Sequence, residues 1–405
     1  MNFYNKLKRF VQHHGINGLY LKILGVLKYN LNNLVNKRDY EKELQIILEE
    51  NPGGKVMIFI SPVPWNLPLY QRPHHLAKEL AELGFIYFYC TNDPIKDKIN
   101  GFKKIFSNCY LTNQQELLLN LKESKIIQFY STDMRNLGPI YKKAISSNDI
   151  ILYEYIDELH SDITGEIPNY VYENHKKFLI DEKNCHIVAS ADKLLDEVKN
   201  FRSINYKLVT NGVDKNHFVK KINKISIPKE IQSLIKKEKP IIGYFGAFAA
   251  WFDYELVKEL AVKRPQYEIL LIGWDYDKSI YKYELNKIPN ITILGPVEYN
   301  ILPQYAIHFD VSTIPFKINE VTESTSPVKL FEYMAMGKPI VTTNMKECRK
   351  YNSVIIAEER NNFILKIDEA LSLKNDDSYL SSMEIEALNN TWSKKAAVIK
   401  EVLKK

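Results

Sequence analysis

The chain has 405 residues, 45% hydrophobic and 26% charged, a composition typical of a globular protein of two or three domains and not of a disordered or fibrous one. It contains no run of about 18 apolar residues, so a transmembrane helix is not expected, and no apolar stretch with a cleavage site indicates a secretory signal. Its four cysteines are far apart and form no C-x-x-C pair. This spacing argues against a zinc site or a disulfide framework and fits a reducing cytoplasm.

The positive charge is concentrated at the N-terminus. Residues 1–38 contain seven basic and no acidic residues, while the whole chain has a net charge of +6. Phe3, Leu7 and Phe10 lie at helical spacing, so we predict a basic amphipathic arm over residues 1–50. Such an arm can lie on an anionic membrane surface or pack against the protein itself. Because the rest of the chain is close to neutral, we do not expect nucleic-acid binding.

The body reads as short apolar strands alternating with helices. The expected strands are 55–60, 85–90, 126–130, 150–155 and 186–190, then 240–248, 268–273, 291–295, 310–314, 339–343 and 353–356. The expected helices are 74–84, 114–123, 169–181, 253–263, 328–336, 361–372 and 393–404. Strands that are apolar on both faces and alternate with helices indicate parallel sheets covered on both sides.

The strand and helix pattern restarts after a lysine-rich stretch at 219–239. We therefore predict an α/β chain with two doubly wound, Rossmann-like domains, the first over residues 51–215 and the second over 216–385. Ligands of such sheets bind beyond the carboxyl ends of the strands. The chain lacks a G-x-G-x-x-G after the first strand, a P-loop and a G-x-S-x-G elbow, so we expect no dinucleotide cofactor, no P-loop ATPase and no hydrolase of that type. We also expect no D-x-D motif after a strand, and its absence would argue against a metal-dependent nucleotide-sugar site.

The most informative stretch is TESTSPVKLFEYMAMGKPIVT at 322–342. Small polar residues come directly before a helix, where unpaired N–H groups and the helix dipole can hold a phosphate or diphosphate. A cation in the first turn and a carboxylate one turn later can add a phosphate contact and bind vicinal hydroxyls. The residues with these roles are Ser324, Thr325, Ser326, Lys329 and Glu332. The alternative is that Ser326-Pro327 only starts a core helix and that Glu332 faces solvent.

This stretch resembles the donor-binding helix of GT-B glycosyltransferases, in particular family-4-like (group 1) members. Four further segments are similar to a subgroup that includes teichuronic acid biosynthesis glycosyltransferases. They are SPVPWNLPLYQRPHHLAKEL (61–80), TNGVDKNHF (210–218), IIGYFGAFAAWFDYELV (241–257) and NTWSKKAAVIKEVL (390–403). The resemblance implies a GT-B fold with two domains facing a cleft and a C-terminal helix, residues 386–405, that crosses back to the first domain.

The resemblance also implies site roles. Glu332 would contact the ribose of a nucleotide sugar, and the loop before it would hold the diphosphate. The family often has a second acidic residue eight positions earlier, where this chain has Ser324. Lys329 is the candidate for stabilising the leaving group. Gly246 and Ala247 follow a strand and would let the backbone approach the diphosphate closely, although a plain strand-to-helix turn is the alternative.

Acceptor-side candidates lie in the first-domain loops. His75 matches the histidine of the Q-R-P-x-H signature and can act as a base or a neutral donor, and Arg72 would lie beside it. Trp65 can stack on a sugar or lipid, or only pack its loop. Asp157 resembles an aspartate of the family and is a candidate for a catalytic base or an acceptor contact.

We therefore expect a cytoplasmic glycosyltransferase that needs no metal and no cofactor beyond its nucleotide-diphosphate sugar. The acceptor would be a lipid-linked or cell-surface glycan, reached from the inner face of the membrane through residues 1–38. Retention of the anomeric configuration is a further implication of the family. The alternatives are a nucleotide-sugar 2-epimerase of the same architecture and a catalytically silent GT-B subunit that scaffolds a partner.

Overall fold

The structure is a computed structural model that describes residues 35–67, 69–161, 165–220 and 227–404. Its contacts divide the chain into two units. The first unit combines the described part of Met1–Leu67 with Leu80–Glu154 and Leu159–His186. The second combines Pro68–Glu79, Tyr155–Glu158 and Ile187–Lys405. Each unit is described by itself below.

The first sheet has eight strands in the order β3-β4-β2-β1-β5-β6-β7-β8. The strands are β1 Lys55–Ile60, β2 Phe85–Cys90, β3 Phe102–Phe106, β4 Cys109–Thr112, β5 Ile126–Tyr130, β6 Ile150–Tyr155, β7 Cys185–Ala189 and β8 Tyr206–Leu208. Strands β1, β2 and β5 pair in parallel and are almost entirely buried. This confirms the expectation of a parallel sheet whose strands are apolar on both faces.

Helices connect these strands. They are α1 Lys37–Glu49, α2 Arg72–Glu82, α3 Pro94–Asp97, α4 Gln115–Leu119, α5 Gly138–Ser146, α6 Asn169–Ile180 and α7 Asp192–Lys199. Helix α1 buries Tyr40, Leu44 and Ile47, the spacing of one helical face. The helical patterns expected within residues 1–34 lie outside the described residues.

The second sheet has six parallel strands in the order β11-β10-β9-β12-β13-β14. The strands are β9 Ile241–Phe245, β10 Glu268–Ile272, β11 Ile291–Leu294, β12 Val311–Ile314, β13 Ile340–Thr343 and β14 Val354–Ala357. The α-helices from residue 215 onward are α8 Lys215–Lys220, α9 Lys229–Ile235, α10 Tyr254–Lys263, α11 Leu302–Ala306, α12 Glu320–Glu323, α13 Val328–Ala335, α14 Phe363–Leu373, α15 Asp377–Asn389 and α16 Trp392–Val402. Short 3₁₀ turns occur at Ile280–Tyr283, Leu285–Lys287 and Arg360–Asn362.

The main departure from the expected strands is an antiparallel pair at one edge of the first sheet. Strand β3 pairs antiparallel with β4, and Asn108 between them has a left-handed φ of 57°. The FKKIF sequence of β3 is only partly buried. Because an edge strand with two lysines carries no continuous apolar run, its sequence does not predict a buried strand.

Within the described residues, no helix combines the length and the apolar character that a membrane span requires.

A buried ion pair joins two loops of the first unit. Lys125 and Asp149 are each about 1% exposed, and the Lys125 Nζ lies 2.9 Å from an Asp149 carboxylate oxygen. The same ammonium group donates to the carbonyl of Leu121 at 3.2 Å. Two charges in such a site are tolerated because each is the other's partner.

We predict that breaking this pair from one side is costly. Lys125→Met or Asp149→Leu alone should lower the free energy of unfolding by about 3–5 kcal/mol, because each leaves a buried charge without a counter-charge. The double variant should lose clearly less than the sum of the two single losses. Urea denaturation of all four proteins measures this, and strictly additive losses would contradict it.

Candidate functional site

Helix α13 of the second unit has two charged side chains turned inward, a buried Glu332 and a half-buried Lys329. Glu332 is 5% exposed, and burial raises the pKa of its carboxyl to about 8, with the positive charge of Lys329 opposing the shift. Burial lowers the pKa of Lys329 to about 8, with the charge of Glu332 opposing that shift. A helix with a buried acid and a half-buried base three residues apart is not a plain core helix.

The Lys329 ammonium group lies against two aromatic rings and a glycine. Its Nζ is 4.9 Å from the ring centre of Phe316 and 5.3 Å from that of Tyr244. A Cβ placed on Gly246 would be 2.7 Å from the Lys329 Cε. A larger residue at 246 would therefore displace the lysine, so Gly246 and Lys329 belong to one site.

The loops after β9 and β10 touch at two glycines. Gly246 has φ +142° and Gly273 has φ +154°, values that favour glycine. A Cβ on Gly273 would lie 1.8 Å from the Gly246 carbonyl oxygen, so no other residue fits there without a backbone shift. Ala247 accepts a hydrogen bond from the Tyr244 hydroxyl at 2.8 Å. The two loops, which begin at Gly246 and Gly273, thus form one compact surface at the carboxyl edge of the sheet, called the ledge below.

The hydroxyl groups of the small polar turn are bonded to the protein. Ser324 Oγ donates to the Val321 carbonyl at 2.9 Å, and Thr325 Oγ1 donates to the same carbonyl at 2.8 Å. Pro327 is the N-cap of α13, and no side-chain cap is formed there. The hydroxyls of Ser324 and Thr325 thus hold the turn in shape, and the groups it offers an anion are chiefly the backbone N–H groups of the first helical turn.

Asn211 ties this turn to two other segments. Its backbone N–H donates to Ser326 Oγ at 3.2 Å and its side-chain amide donates to the Ser326 carbonyl at 2.6 Å. Its own side-chain carbonyl oxygen accepts from Arg72 Nη1 at 3.2 Å. Arg72 also donates to the carbonyls of Val209 and Thr210. The expected acceptor-side Arg72 and the expected donor-side Ser326 are therefore joined through Asn211, for which no role was expected.

His75 lies in a cluster of aromatic rings. Its ring stacks on Trp392 at 4.9 Å and meets Tyr299 at 5.6 Å. Burial, with the nearby His74, His217 and Lys78 adding to it, holds the pKa of His75 well below its usual value. The imidazole is therefore neutral. Among the described residues, no hydrogen-bond partner meets His75 Nε2, the Tyr299 hydroxyl or Trp392 Nε1.

Asp157 follows strand β6 and lies near Arg72. Burial of its carboxyl raises its pKa to about 7, and the Arg72 charge partly offsets the shift. Its neighbour Glu158 accepts from Lys193 at 2.8 Å and from Ser324 Oγ at 3.3 Å. A carboxyl group with a pKa near 7 can exchange a proton at neutral pH, which a general base requires.

Trp65 belongs to the first unit. Its backbone N–H donates to Asp97 at 2.7 Å. Its ring packs edge-on against Tyr89 at 5.0 Å and near Phe106 at 6.1 Å. These contacts account for packing of its loop, and a contact with a ligand stays a prediction.

The loop after β10 contains Asp275, which was not among the expected site residues. Asp275 and Asp277 form a D-x-D directly after a strand, so the expectation that no such motif follows a strand is wrong. Phe248 and Asp275 form a parallel bridge between the two glycine loops. Over the part of the chain that the structure describes, no three histidine, cysteine or acidic side chains form a group that could hold a metal ion.

Residues 239–373 match the family profile of glycosyl transferases group 1. Over 264 residues, the chain is 25% identical to a Bacillus subtilis (strain 168) protein that is named as a teichuronic acid biosynthesis glycosyltransferase, TuaH. That match covers 62% of this chain and 66% of the relative, so the chain spans just under two thirds of the length of this curated relative.

Solved structures show the same fold at low identity. Sucrose-phosphate synthase from Thermosynechococcus elongatus has a TM-score of 0.65 and 13% identity, covering 87% of this chain and 98% of that one. Anabaena Alr3699/HepE, in complex with UDP and glucose, has a TM-score of 0.60 and 14% identity, covering 87% and 99%. The chain therefore has the fold of the GT-B glycosyltransferases, and its residues 239–373 are similar to the glycosyl transferases of group 1.

Proposed function

We propose that this protein transfers a sugar from a nucleoside-diphosphate sugar to a hydroxyl group of a lipid-linked or cell-surface glycan, without a metal ion and with retention of anomeric configuration. The observation that carries the donor assignment is the pair of charged side chains on α13, a half-buried Lys329 and a buried Glu332. The Lys329 side chain packs so close to Gly246 that a Cβ there would be 2.7 Å from the lysine Cε. Glu332 is buried one turn further along the helix. A diphosphate at this ledge would meet a cation, a helix N-terminus and a glycine backbone.

In this proposal each donor-side residue has a separate task. The first N–H groups of α13, supported by Ser324, Thr325 and Ser326, hold the diphosphate. Lys329 opposes the negative charge that grows on the diphosphate when its bond to the sugar breaks, a charge best stabilised by a group already in place. Glu332 accepts hydrogen bonds from the ribose hydroxyls.

The acceptor-side tasks fall to the residues that the sequence predicted for them. Asp157, with a pKa near 7, positions the acceptor hydroxyl or takes its proton. Arg72 keeps a positive charge beside it. His75 is buried and neutral, so we assign it a neutral hydrogen bond to the reacting sugars and not an acid's role. Trp65 would offer a ring face to the acceptor.

The acceptor class rests on the relative and on the charge of the N-terminus. TuaH is named for the biosynthesis of teichuronic acid, and residues 1–38 carry seven positive charges without an acidic residue. Polymers built on lipid carriers are made at an anionic membrane surface, where basic side chains contribute about 1 kcal/mol each.

We predict that Lys329→Ala and Glu332→Ala each weaken the binding of nucleoside diphosphates at least tenfold, or ~1.4 kcal/mol. The reason is that each removes one charged partner of the ligand from a buried site. Isothermal titration with UDP, GDP, ADP and dTDP measures the loss, and turnover of the matching sugar should continue in EDTA.

The exposed Lys346 and Glu358 of the same domain provide matched controls, since Lys346→Ala and Glu358→Ala remove the same charges at the surface. Unchanged binding in both site variants, or equal losses in the controls, would contradict the donor assignment.

We predict that the affinity for a nucleoside diphosphate falls as pH rises from 7 to 9.5. Lys329, with its pKa lowered to about 8, loses its proton in this range and with it the attraction for the diphosphate. In Lys329→Arg the fall should become smaller, because the arginine keeps its charge and only the ionisation of Glu332, whose pKa is also about 8, remains. In Glu332→Gln it should move to lower pH, because the acidic neighbour that raises the lysine pKa is gone. Titrations at several pH values measure this, and an unchanged profile in Lys329→Arg would refute it.

We predict that the N-terminus brings the protein to anionic membranes. Neutralising Lys6, Lys8 and Arg9 to Gln in the full chain should reduce co-sedimentation with phosphatidylglycerol vesicles several-fold, because fewer cations face the lipid. Binding to phosphatidylcholine vesicles should be weak in all proteins.

A control variant neutralises the exposed Lys122, Lys176 and Lys177 and should bind vesicles as the parent does. If the control loses as much binding as the N-terminal variant, the effect is one of net charge and the arm has no special role.

A further inference from the structure

The carboxylate of Asp275 has no task in the roles assigned above. Both of its oxygens are shielded from solvent, and within the described part of the chain neither has a hydrogen-bond partner. An ionised carboxylate in that state is costly. A ligand that supplies the missing donors would offset this cost.

Backbone hydrogen bonds hold Asp275 close to the ledge at Gly246 and Gly273. Phe248 donates to the Trp274 carbonyl at 2.8 Å, and Tyr276 donates to the Phe248 carbonyl at 2.8 Å. Two residues before Asp275, Gly273 is packed against Gly246. Asp275 therefore lies in the loop of the strand next to that of Gly246, one strand spacing of about 4.8 Å across the sheet, and a nucleoside whose diphosphate lies at Gly246 can extend across this loop.

Aromatic rings flank the carboxylate in the chain. Trp274 is 41% exposed and Tyr276 is 52% exposed, and their ring centres are 5.5 Å apart. The ring of Trp251 is 6.0 Å from that of Tyr276. Exposed rings of this kind offer stacking faces for a planar base. The loop therefore combines a hydrogen-bond acceptor pair with stacking surface.

We propose that Asp275 selects guanine, so that the donor is a GDP-sugar; this rests on the function proposed above. Guanine has two adjacent donors on its pairing edge, N1–H and the N2 amino group, and these match the two oxygens of one carboxylate. Uracil has a single N–H between two carbonyl oxygens, which would face the carboxylate unfavourably. Adenine has an amino group beside an unprotonated ring nitrogen, so it also satisfies only one oxygen.

A divalent cation is the competing occupant, because Asp275 and Asp277 form a D-x-D pair. Asp277, however, accepts a hydrogen bond from the Ser279 N–H at 3.0 Å and is exposed. A cation at two carboxylates would need further oxygen ligands, and the described residues bring no third acidic side chain to this loop. The geometry favours the base.

The test compares ligands that differ at single groups. The dissociation constants of GDP, IDP, UDP and ADP are measured by calorimetry for the parent chain, in EDTA and again with MgCl₂. IDP lacks only the N2 amino group of GDP. We expect GDP to bind at least tenfold more tightly than IDP, UDP or ADP, in EDTA as well as in magnesium.

Asp275→Asn replaces one acceptor by a donor at constant size and should reduce the GDP-to-IDP preference to near unity while leaving UDP binding unchanged. Asp277→Asn makes the same change two residues away and should keep the preference. UDP or ADP binding as tightly as GDP, a preference that survives Asp275→Asn, or one that requires magnesium would each overturn the proposal while leaving the glycosyltransferase function standing. If no nucleoside diphosphate binds, the proposed function fails as well.

Discussion

The charges of half-buried Lys329 and buried Glu332, held one turn apart on α13, are the constraint on which the candidate site depends. Each side chain has lost most of its water, and each opposes the pKa shift of the other. Such a pair contributes little to stability by itself. The rings of Phe316 and Tyr244 and the bare backbone of Gly246 hold the ammonium group in place. In the function proposed above, the benefit of this arrangement comes from a charged, hydroxylated ligand.

A chain of polar contacts connects this helix with segments far away in sequence. Arg72 bonds to the carbonyl of Thr210, Lys395 donates to the hydroxyl of Thr210 at 2.6 Å, and Asn211 bonds to Ser326. Burial and the Arg72 charge lower the pKa of Lys395 to about 8. These bonds join four of the segments that resemble one family, namely 61–80, 210–218, 322–342 and 390–403. This explains in physical terms why they occur together in one chain.

The strands other than β3, β4 and β8, and the helix at 328–336, could be predicted from the sequence. The reason is that an apolar run of strand length between turn residues fits few structures except a buried strand. The partners of Ser326 could not, since Asn211 lies 115 residues away in the chain and a single sequence does not pair distant positions. Strand β3 was missed because its lysines interrupt the apolar run. Asp275 was readable as part of a D-x-D, yet only the structure separates its unpartnered oxygens from the bonded Asp277. The catalytic and binding roles remain predictions.

The ring cluster at His75 has a consequence for how the protein is made. Tyr70 packs against Tyr299, and His75 packs against Trp392. Each of these later residues is synthesised more than 200 residues after its partner, so the contacts can form only late in translation. Until then, the aromatic rings of this early segment lack their native packing partners. Strands β1, β2, β5 and β6 find their partners much sooner. The nascent chain should therefore complete most of its first sheet well before the Tyr70 segment docks, and that late docking is where a chaperone would be most useful.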